Sequence, residues 1–183
     1  LAIMQGPSAE HWLGTDQLGR DILSRVLHGG QFSLSLAIIA AFVCVVIGSA
    51  LGMFAAYYRG LFDEVLMRLT DAVLSVPSIL GLLLVVSLLG TGAHIIGLAA
   101  VVVYSPAVVR VVRAAALQVV ELDYVTAAKA RGERGAAVVI REVLPNVLDV
   151  VFVELAMRAS WILLLVSSLS FLGFGANPPT PDW

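Results

Sequence analysis

Glu154 and Arg158 are the residues of this chain whose type and position could do chemistry in an apolar environment. Both lie deep within an apolar run, and they are four residues apart. Side chains at that spacing share one face of a helix, so each charge can neutralise the other where a lone charge is expensive. Two readings stay equally open: a buried structural pair, or a pair that lines a transport path.

The remaining reactive side chains form no recognisable catalytic motif. The histidines are scattered, and Cys44, the single cysteine, sits in an apolar run as a small buried hydrophobe would. The sequence has no Ser/His/Asp set, no glycine-rich phosphate loop and no HExxH zinc helix. We therefore predict a non-catalytic protein that binds no metal or cofactor itself.

The composition indicates an integral membrane protein. Hydrophobic residues make up 60% of the chain and charged residues 13%, and the mean hydropathy is +0.97. The net charge is -2 and no block of like charge occurs, which argues against nucleic-acid binding. The first residue is Leu1 and not methionine, and no basic n-region with a cleavage site follows it, so we expect a chain without a signal peptide that is a fragment of a longer protein.

A helix that crosses a membrane needs about 17 to 25 apolar residues, and four apolar runs of this chain are long enough. Pro77 and Pro106 fall in the second and third runs and are expected to bend them. Gly48 and Gly52, four residues apart in the first run, suggest a close-packing face. We predict an all-α polytopic protein with a membrane domain over residues 32–172, whose spans are residues 32–58, 72–89, 93–109 and 147–172.

The basic residues orient these spans. Most of them lie between spans one and two or between spans three and four, and the positive-inside rule places those connections in the cytoplasm. Residues 110–142 then form a cytoplasmic loop, while residues 1–31 and the tail, residues 173–183, are external. The basic residues concerned are Arg59, Arg68, Arg110, Arg113, Lys129, Arg131, Arg134 and Arg141.

The cytoplasmic loop is predicted to contain two short helices around a glycine hinge. Asp123 is the expected N-cap of a helix that starts at Tyr124, and Gly132 marks its end. Tyr124, Ala128 and Gly132 recur at i, i+4 and i+8, which predicts a face small enough for another surface to approach. The second helix, about residues 134–143, runs into Leu144-Pro145, so the loop and the fourth span are mechanically joined.

The spacing of Thr126-Ala127-Ala128, Gly132 and Leu144-Pro145 resembles the EAA motif in the membrane subunits of ATP-binding-cassette (ABC) importers. That motif reads Glu-Ala-Ala, three residues, Gly, nine residues, Ile, any residue, Leu-Pro; here Thr126 replaces the glutamate and Glu142 the isoleucine. The resemblance implies that the loop couples to an ATPase through Asp123, Tyr124, Thr126, Ala127, Ala128, Arg131, Gly132, Leu144 and Pro145.

Two further segments resemble permeases of the dipeptide/oligopeptide/nickel type. His11 to Asp21 is similar to the external segment before that family's second helix, and Phe171 to Gly175 with Pro178 to Trp183 is similar to the stretch before its last helix. The resemblance implies the type I ABC importer fold, with four helices of a six-helix subunit present and one missing at each end. It also implies a bacterial or archaeal cytoplasmic (inner) membrane.

The same resemblance implies the partners and the cargo. A homologous permease subunit would complete a heterodimeric pore in the lipid, two cytoplasmic ATPases would carry ATP and Mg, and an external substrate-binding protein would deliver peptides or related small solutes. The pore would then turn from inward- to outward-facing when the ATPases close.

The amino-terminal segment has two readings. Thr15-Asp16 with Arg20, and Asp21 with Arg25, form acid-to-base pairs at i,i+4 that predict a self-stabilised external helix. The functional alternative is an external mouth that meets the substrate-binding protein or shapes an outer gate. Its residues would be Gly14, Thr15, Asp16, Gly19, Arg20 and Asp21.

Two functions of other classes also stay open. An ion-coupled secondary transporter needs intramembrane ionisable groups, and this chain offers only Glu154 and Arg158. A non-transporting membrane scaffold would show no dependence on nucleotide at all.

Overall fold

The fold is built from helices, as the apolar runs predict. The structure, a computed structural model, describes residues 3–174, and these are helical apart from short connections and an amino-terminal segment (residues 3–21) with an isolated bridge between Thr15 and Asp21. The resemblance noted for Gly175 and for Pro178 to Trp183 falls outside the described residues. The helices are α1 (Ile22–Tyr58), α2 (Gly60–Leu74), α3 (Ser78–Leu89), α4 (Ala93–Val120), α5 (Asp123–Ala130), α6 (Gly135–Val138) and α7 (Leu144–Phe171), with a π-helical turn, Val139–Val143, joining α6 to α7.

Three continuous helices among the described residues are long and apolar enough to cross a membrane. They are α1, α4 and the unbroken run Gly135–Phe171, which includes α6, the π turn and α7. The pair α2–α3 makes a fourth crossing if its two halves form one broken span. The all-α, polytopic prediction is therefore confirmed.

Helix α1 begins at Ile22, earlier than the predicted start of the first span at residue 32. Asp21 caps it, since its carboxylate accepts a hydrogen bond from the Ser24 N–H at 2.8 Å. Polar residues such as Arg25 and His28 consequently lie in the first turns of α1. The separate external helix predicted within residues 1–31 is wrong, because residues 3–20 of the amino-terminal segment contain no helix.

The second apolar run is broken into two helices at Pro77. Proline has no N–H to donate and its ring blocks the preceding turn, and the axes of α2 and α3 meet at 85°. The expected bend is thus a complete break, and residues 72–89 are not one straight span. The exposed face of α2 carries an ion pair between Arg68 and Glu64, with nitrogen and oxygen 2.6 Å apart.

Helix α4 continues to Val120, well beyond the predicted end of the third span at residue 109. It runs through Pro106 without interruption, so this proline does not break the helix. The charges that follow do not end the helix because carboxylates of α2 neutralise them. Arg113 binds Asp63 through two nitrogens, each 2.5 Å from an oxygen, and Arg110 pairs with Asp71. The polar connection therefore starts at Glu121, not at Arg110.

The core lies where α1 packs against α4, with α7 alongside. Small residues let the two backbones approach: a Cβ added to Gly48 would lie 2.7 Å from the Val108 Cβ, and one added to Gly52 would lie 2.7 Å from the Val109 carbonyl oxygen. The close-packing face suggested by these two glycines is therefore directed at α4.

Candidate functional site

The connecting segment, residues 121–134, carries the helix α5 between α4 and α6. The N-cap is Leu122, which has extended backbone geometry and offers no side-chain cap, so the prediction that Asp123 fills this position is wrong. Asp123 is instead the first helical residue, where a negative charge is favoured by the helix dipole. Just upstream, a hydrogen bond from the Arg59 side chain lowers the pKa of the Glu121 carboxyl.

Helix α5 ends in a Schellman motif at Gly132. The Gly132 N–H donates to the Lys129 carbonyl at 3.0 Å, and the Glu133 N–H donates to the Ala128 carbonyl at 3.3 Å. Gly132 has φ +77°, a left-handed conformation that favours glycine. A Cβ at this position would meet no atom within 4 Å, so backbone conformation and not space requires the glycine.

The two faces of α5 differ sharply. Val125 and Ala128 have no exposed surface and anchor the helix to the bundle. Ala128 therefore does not share an outer face with Tyr124 and Gly132, as the i, i+4, i+8 spacing suggested. The face that a partner can reach comprises Asp123, Tyr124, Thr126, Ala127 and Ala130, continuing into Arg131 and Gly132.

Two aromatic residues at the end of α1 support this segment, and sequence reasoning missed both. A Cβ at Gly135 would lie 2.6 Å from the Tyr58 hydroxyl oxygen and 2.8 Å from a Tyr57 ring carbon. The Lys129 Nζ stands 4.8 Å from the centre of the Tyr57 ring. These contacts join residues distant in sequence, and the available signal was only a Tyr-Tyr pair closing an apolar run.

The connecting segment is followed by a helical run that passes from α6 into α7 without a break. Pro145 lies in the first turn of α7, where its missing N–H would leave the preceding turn short of a donor. The π turn absorbs this irregularity, and the Asn146 side-chain amide donates to the Glu142 carbonyl at 2.7 Å. Leu144 is half-buried and Pro145 is exposed. The motif residues Leu144 and Pro145 thus belong to a single rod, Gly135–Phe171, which begins three residues after Gly132.

The structure brings Glu154 and Arg158 together on α7. The Arg158 Nε donates to a Glu154 carboxylate oxygen at 3.0 Å, and Glu154 is only 7% exposed. The guanidinium carbon lies 5.8 Å from the centre of the Tyr104 ring of α4. Among residues 3–174, no group of three or more His, Cys, Asp and Glu side chains is placed to hold a metal ion.

The amino-terminal segment is organised by its aspartates. The Asp16 carboxylate accepts hydrogen bonds from the backbone N–H groups of Leu18 and Arg20, at 2.8 and 2.9 Å, and from the Arg20 Nε at 2.8 Å. The Asp21 carboxylate accepts from the Ser24 N–H, and the His11 Nδ1 lies 3.1 Å from it. These bonds, led by those from the Arg20 and Ser24 backbones, lower the pKa of each aspartate.

Glycines let this segment fold as loops instead of a helix. Gly14 and Gly19 have φ +79° and +73°, and Thr15 is buried, with its hydroxyl oxygen 2.9 Å from the Gln5 N–H that donates to it. Within this arrangement the Arg25 Nε lies 4.0 Å from Asp16. The residues proposed for an external mouth are therefore neighbours in space, although not in a helix.

The sequence pattern of one protein family covers α2 to α7, and with them the connecting segment and the Glu154–Arg158 pair. The family is described as "Binding-protein-dependent transport system inner membrane component", and the match extends over residues 48–183. The chain belongs to this family. Membership confirms the resemblance inferred from the EAA-type spacing, and it makes the chain a multi-pass inner-membrane permease component and not an enzyme.

Relatives of this inner-membrane component support the same assignment. The glutathione transport system permease protein GsiD of Pectobacterium atrosepticum is 38% identical over 179 residues, which are 98% of this chain and 60% of that protein. The GsiD proteins of Shigella dysenteriae and Escherichia coli are 40% and 39% identical over 178 residues, which are 97% of this chain and 59% of each relative. The chain thus spans about 60% of the length of these relatives.

Proposed function

We propose that this chain is a pore-forming transmembrane subunit of an ATP-driven importer for peptides or related small solutes. A homologous permease subunit completes the pore, two cytoplasmic ATPases supply the energy with their own ATP and Mg, and an external substrate-binding protein delivers the cargo. The family description supports the importer and the binding protein. The GsiD relatives are named for glutathione transport, which supports a small peptide-like solute.

The geometry of the connecting segment carries this proposal. Helix α5 has one face anchored by Val125 and Ala128 and an opposite face open to a partner. Its Schellman end leads within a few residues to Gly135, the start of the rod that includes α7. When two ATPases close on ATP, a docked α5 moves, and the rod tilts with it because only the short turn at residues 131–134 separates the two.

The residues of α5 have different roles in this mechanism. Tyr124, Thr126 and Ala127 contact the ATPase, with Asp123 and Arg131 at the edges of the contact. Ala128 positions the helix from behind, since it is fully buried against the bundle. Thr126 stands where the family motif has glutamate, so the contact at this position is a neutral hydrogen bond and not an ion pair.

The two alternative functions have less support. In an ion-coupled carrier, a buried carboxylate has to gain and lose its ion, but Glu154 is already bound to Arg158 at 3.0 Å. A scaffold would not need an exposed helix joined through a short turn to a membrane span.

Replacing the alanines of α5 with leucine tests the docking role in the full-length subunit purified with its partners. We expect Ala127→Leu to weaken ATPase retention by about tenfold, equivalent to about 1.4 kcal/mol, while the permease pair stays assembled. Ala136→Leu, an exposed alanine of α6, is the matched control and should retain the ATPase. Ala128→Leu should instead destabilise the subunit by overpacking. ATP-coupled uptake by Ala127→Leu at the normal rate would refute the docking assignment.

A further inference from the structure

A cavity of about 380 Å³ lies between α3, α4 and α7, beside the buried ion pair. Its walls are largely apolar, with two aromatic rings, two serines and one arginine among them. These residues are Ser78 of α3, Tyr104 of α4, and Arg158, Trp161 and Ser168 of α7. Apolar walls with a few convergent polar groups are typical of a site that holds a small solute.

The Arg158 side chain has hydrogen-bond donors to spare in this cavity. A guanidinium carries five N–H groups, and the Nε of Arg158 donates to Glu154. Within the described residues, the structure gives the two terminal nitrogens no acceptor, and the side chain is 13% exposed where it reaches the cavity. Such a planar fork binds a carboxylate through two parallel hydrogen bonds.

The surroundings hold this fork in place. The Tyr104 ring, 5.8 Å from the guanidinium carbon, restricts its orientation from α4. Glu154 fixes it from α7 on the Nε side and leaves the terminal nitrogens directed elsewhere. Ser78, the first residue of α3, adds a hydroxyl at the opposite wall because the helix break at Pro77 brings the start of α3 to the cavity.

Glu154 stabilises the buried Arg158 guanidinium and also weakens the attraction of that guanidinium for an anion. A lone arginine at this depth is costly, and the adjacent carboxylate removes most of that cost. The same carboxylate reduces the attraction for an incoming anion. Weak binding suits a transport path, since a solute has to leave each site it enters.

We propose that this cavity is a carboxylate-binding subsite on the transport path. Arg158 receives the carboxylate of a small solute, such as the carboxyl terminus of a peptide, while Trp161 and Tyr104 contact its apolar part. The inference rests on the proposed function, because it concerns the cargo of that importer. An acidic lipid headgroup would meet the same fork, so the lipid is controlled in the test below.

The test uses the full-length subunit with its permease partner and ATPases, in discs of neutral phosphatidylcholine without the substrate-binding protein. Trialanine and its carboxy-terminal amide, each carrying a carbon-14 label, are titrated and the bound fraction is measured. The variants are Glu154→Gln, the neutral double variant Glu154→Gln/Arg158→Gln, and Asp149→Asn. Asp149→Asn is the matched control, because it also removes one acid from α7 but at an exposed position.

We expect trialanine to bind about tenfold more tightly than its amide, since the amide loses a charge-assisted hydrogen bond. Glu154→Gln should increase that preference, the double variant should abolish it, and Asp149→Asn should leave it unchanged. Equal binding of acid and amide, or a preference that survives in the double variant, would overturn the subsite. The subsite would also be overturned if phosphatidylglycerol bound beside Arg158 and trialanine did not bind at all.

The same preparation separates this inference from the proposed function. ATP-driven uptake is measured after adding the substrate-binding protein. If ATP-driven uptake occurs but replacing Arg158 does not change the preference for trialanine over its amide, only the subsite is overturned. Absence of an ATPase from the purified complex, or uptake that does not depend on ATP, would overturn the proposed function.

Discussion

The amino-terminal segment and the connecting segment carry similar sequence signals and fold differently. Each has an aspartate that is followed by a basic residue and by a glycine. The connecting segment forms α5, whereas residues 3–20 form a loop without a helix. The aspartates also exchange roles: Asp123, predicted as a cap, lies inside its helix, and Asp21, predicted to pair within a helix, caps α1.

Apolar anchoring explains the difference. Val125 and Ala128, three residues apart, bury one face of α5 against the bundle. The amino-terminal segment has no such stripe, and its Trp12 and Leu18 are 71% and 64% exposed. Charge pairs at i,i+4 contribute only about 0.2 to 0.5 kcal/mol each, too little to nucleate a short helix unaided. The aspartates then bind backbone N–H groups instead.

The largest effect should come from breaking the continuous helical run Gly135–Phe171, which follows the connecting segment. Inserting two glycines between Val143 and Leu144 should reduce solute uptake per ATP hydrolysed by about tenfold or more, because each interior glycine weakens a helix by about 1 kcal/mol and the rod loses stiffness. The measurement is coupled uptake by the full-length complex. The same insertion between Ser8 and Ala9, in the amino-terminal segment, should preserve coupling. An equal loss of coupled uptake from the two insertions would contradict the proposed role of the rod.

Alanine substitution of one positive-φ glycine in each segment should have an effect of intermediate size. Gly132→Ala should cost about 1 to 2 kcal/mol locally, since only the backbone conformation opposes it. Gly14→Ala should cost more, because its Cβ would also lie 2.3 Å from the Gln5 carbonyl oxygen. Hydrogen exchange of the amides in each segment measures both. Faster exchange in Gly132→Ala than in Gly14→Ala would contradict this order.

The smallest effect is the response to acid. Asp16 and Asp21 have pKa values lowered from 3.8 by hydrogen bonds from the Arg20 and Ser24 backbones, so their contribution is present above pH 3.8 and is lost as pH falls through the lowered values. The Leu18, Arg20 and Ser24 amides should lose exchange protection in that window. The α5 amides should not, because no carboxylate caps that helix. Parallel loss in both segments would contradict this assignment.

Composition and periodicity were sufficient for the helical class, the apolar runs and the close packing at Gly48 and Gly52. The helix ends were harder, because they depend on partners far away in sequence. The predicted stop at Arg110 failed since Asp71 and Asp63 neutralise the charges on the extension of α4. A charge marks the end of an apolar surface, which is not always the end of a helix.

The candidate sites show the same limit. The end of α5 at Gly132 and the pairing of Glu154 with Arg158 are local, so spacing alone predicts them. The inward position of Ala128 also had a local signal, its spacing from Val125, but the i, i+4, i+8 spacing with Tyr124 and Gly132 pointed the other way. The cavity beside Arg158 had none, because it depends on the 85° bend that brings Ser78 towards α7.

The arginines near the ends of α1 and α4 change their role as the protein is made. The positive-inside rule counts lysine and arginine and is little affected by acids, so these residues direct topology while the chain enters the membrane. Once α2 packs against α4, the same charges form ion pairs that hold the helices together. Biogenesis therefore separates into two steps, and removing the Asp63 carboxylate should leave topology correct while assembly fails. The pairs concerned are Arg59 with Glu121, Arg110 with Asp71 and Arg113 with Asp63.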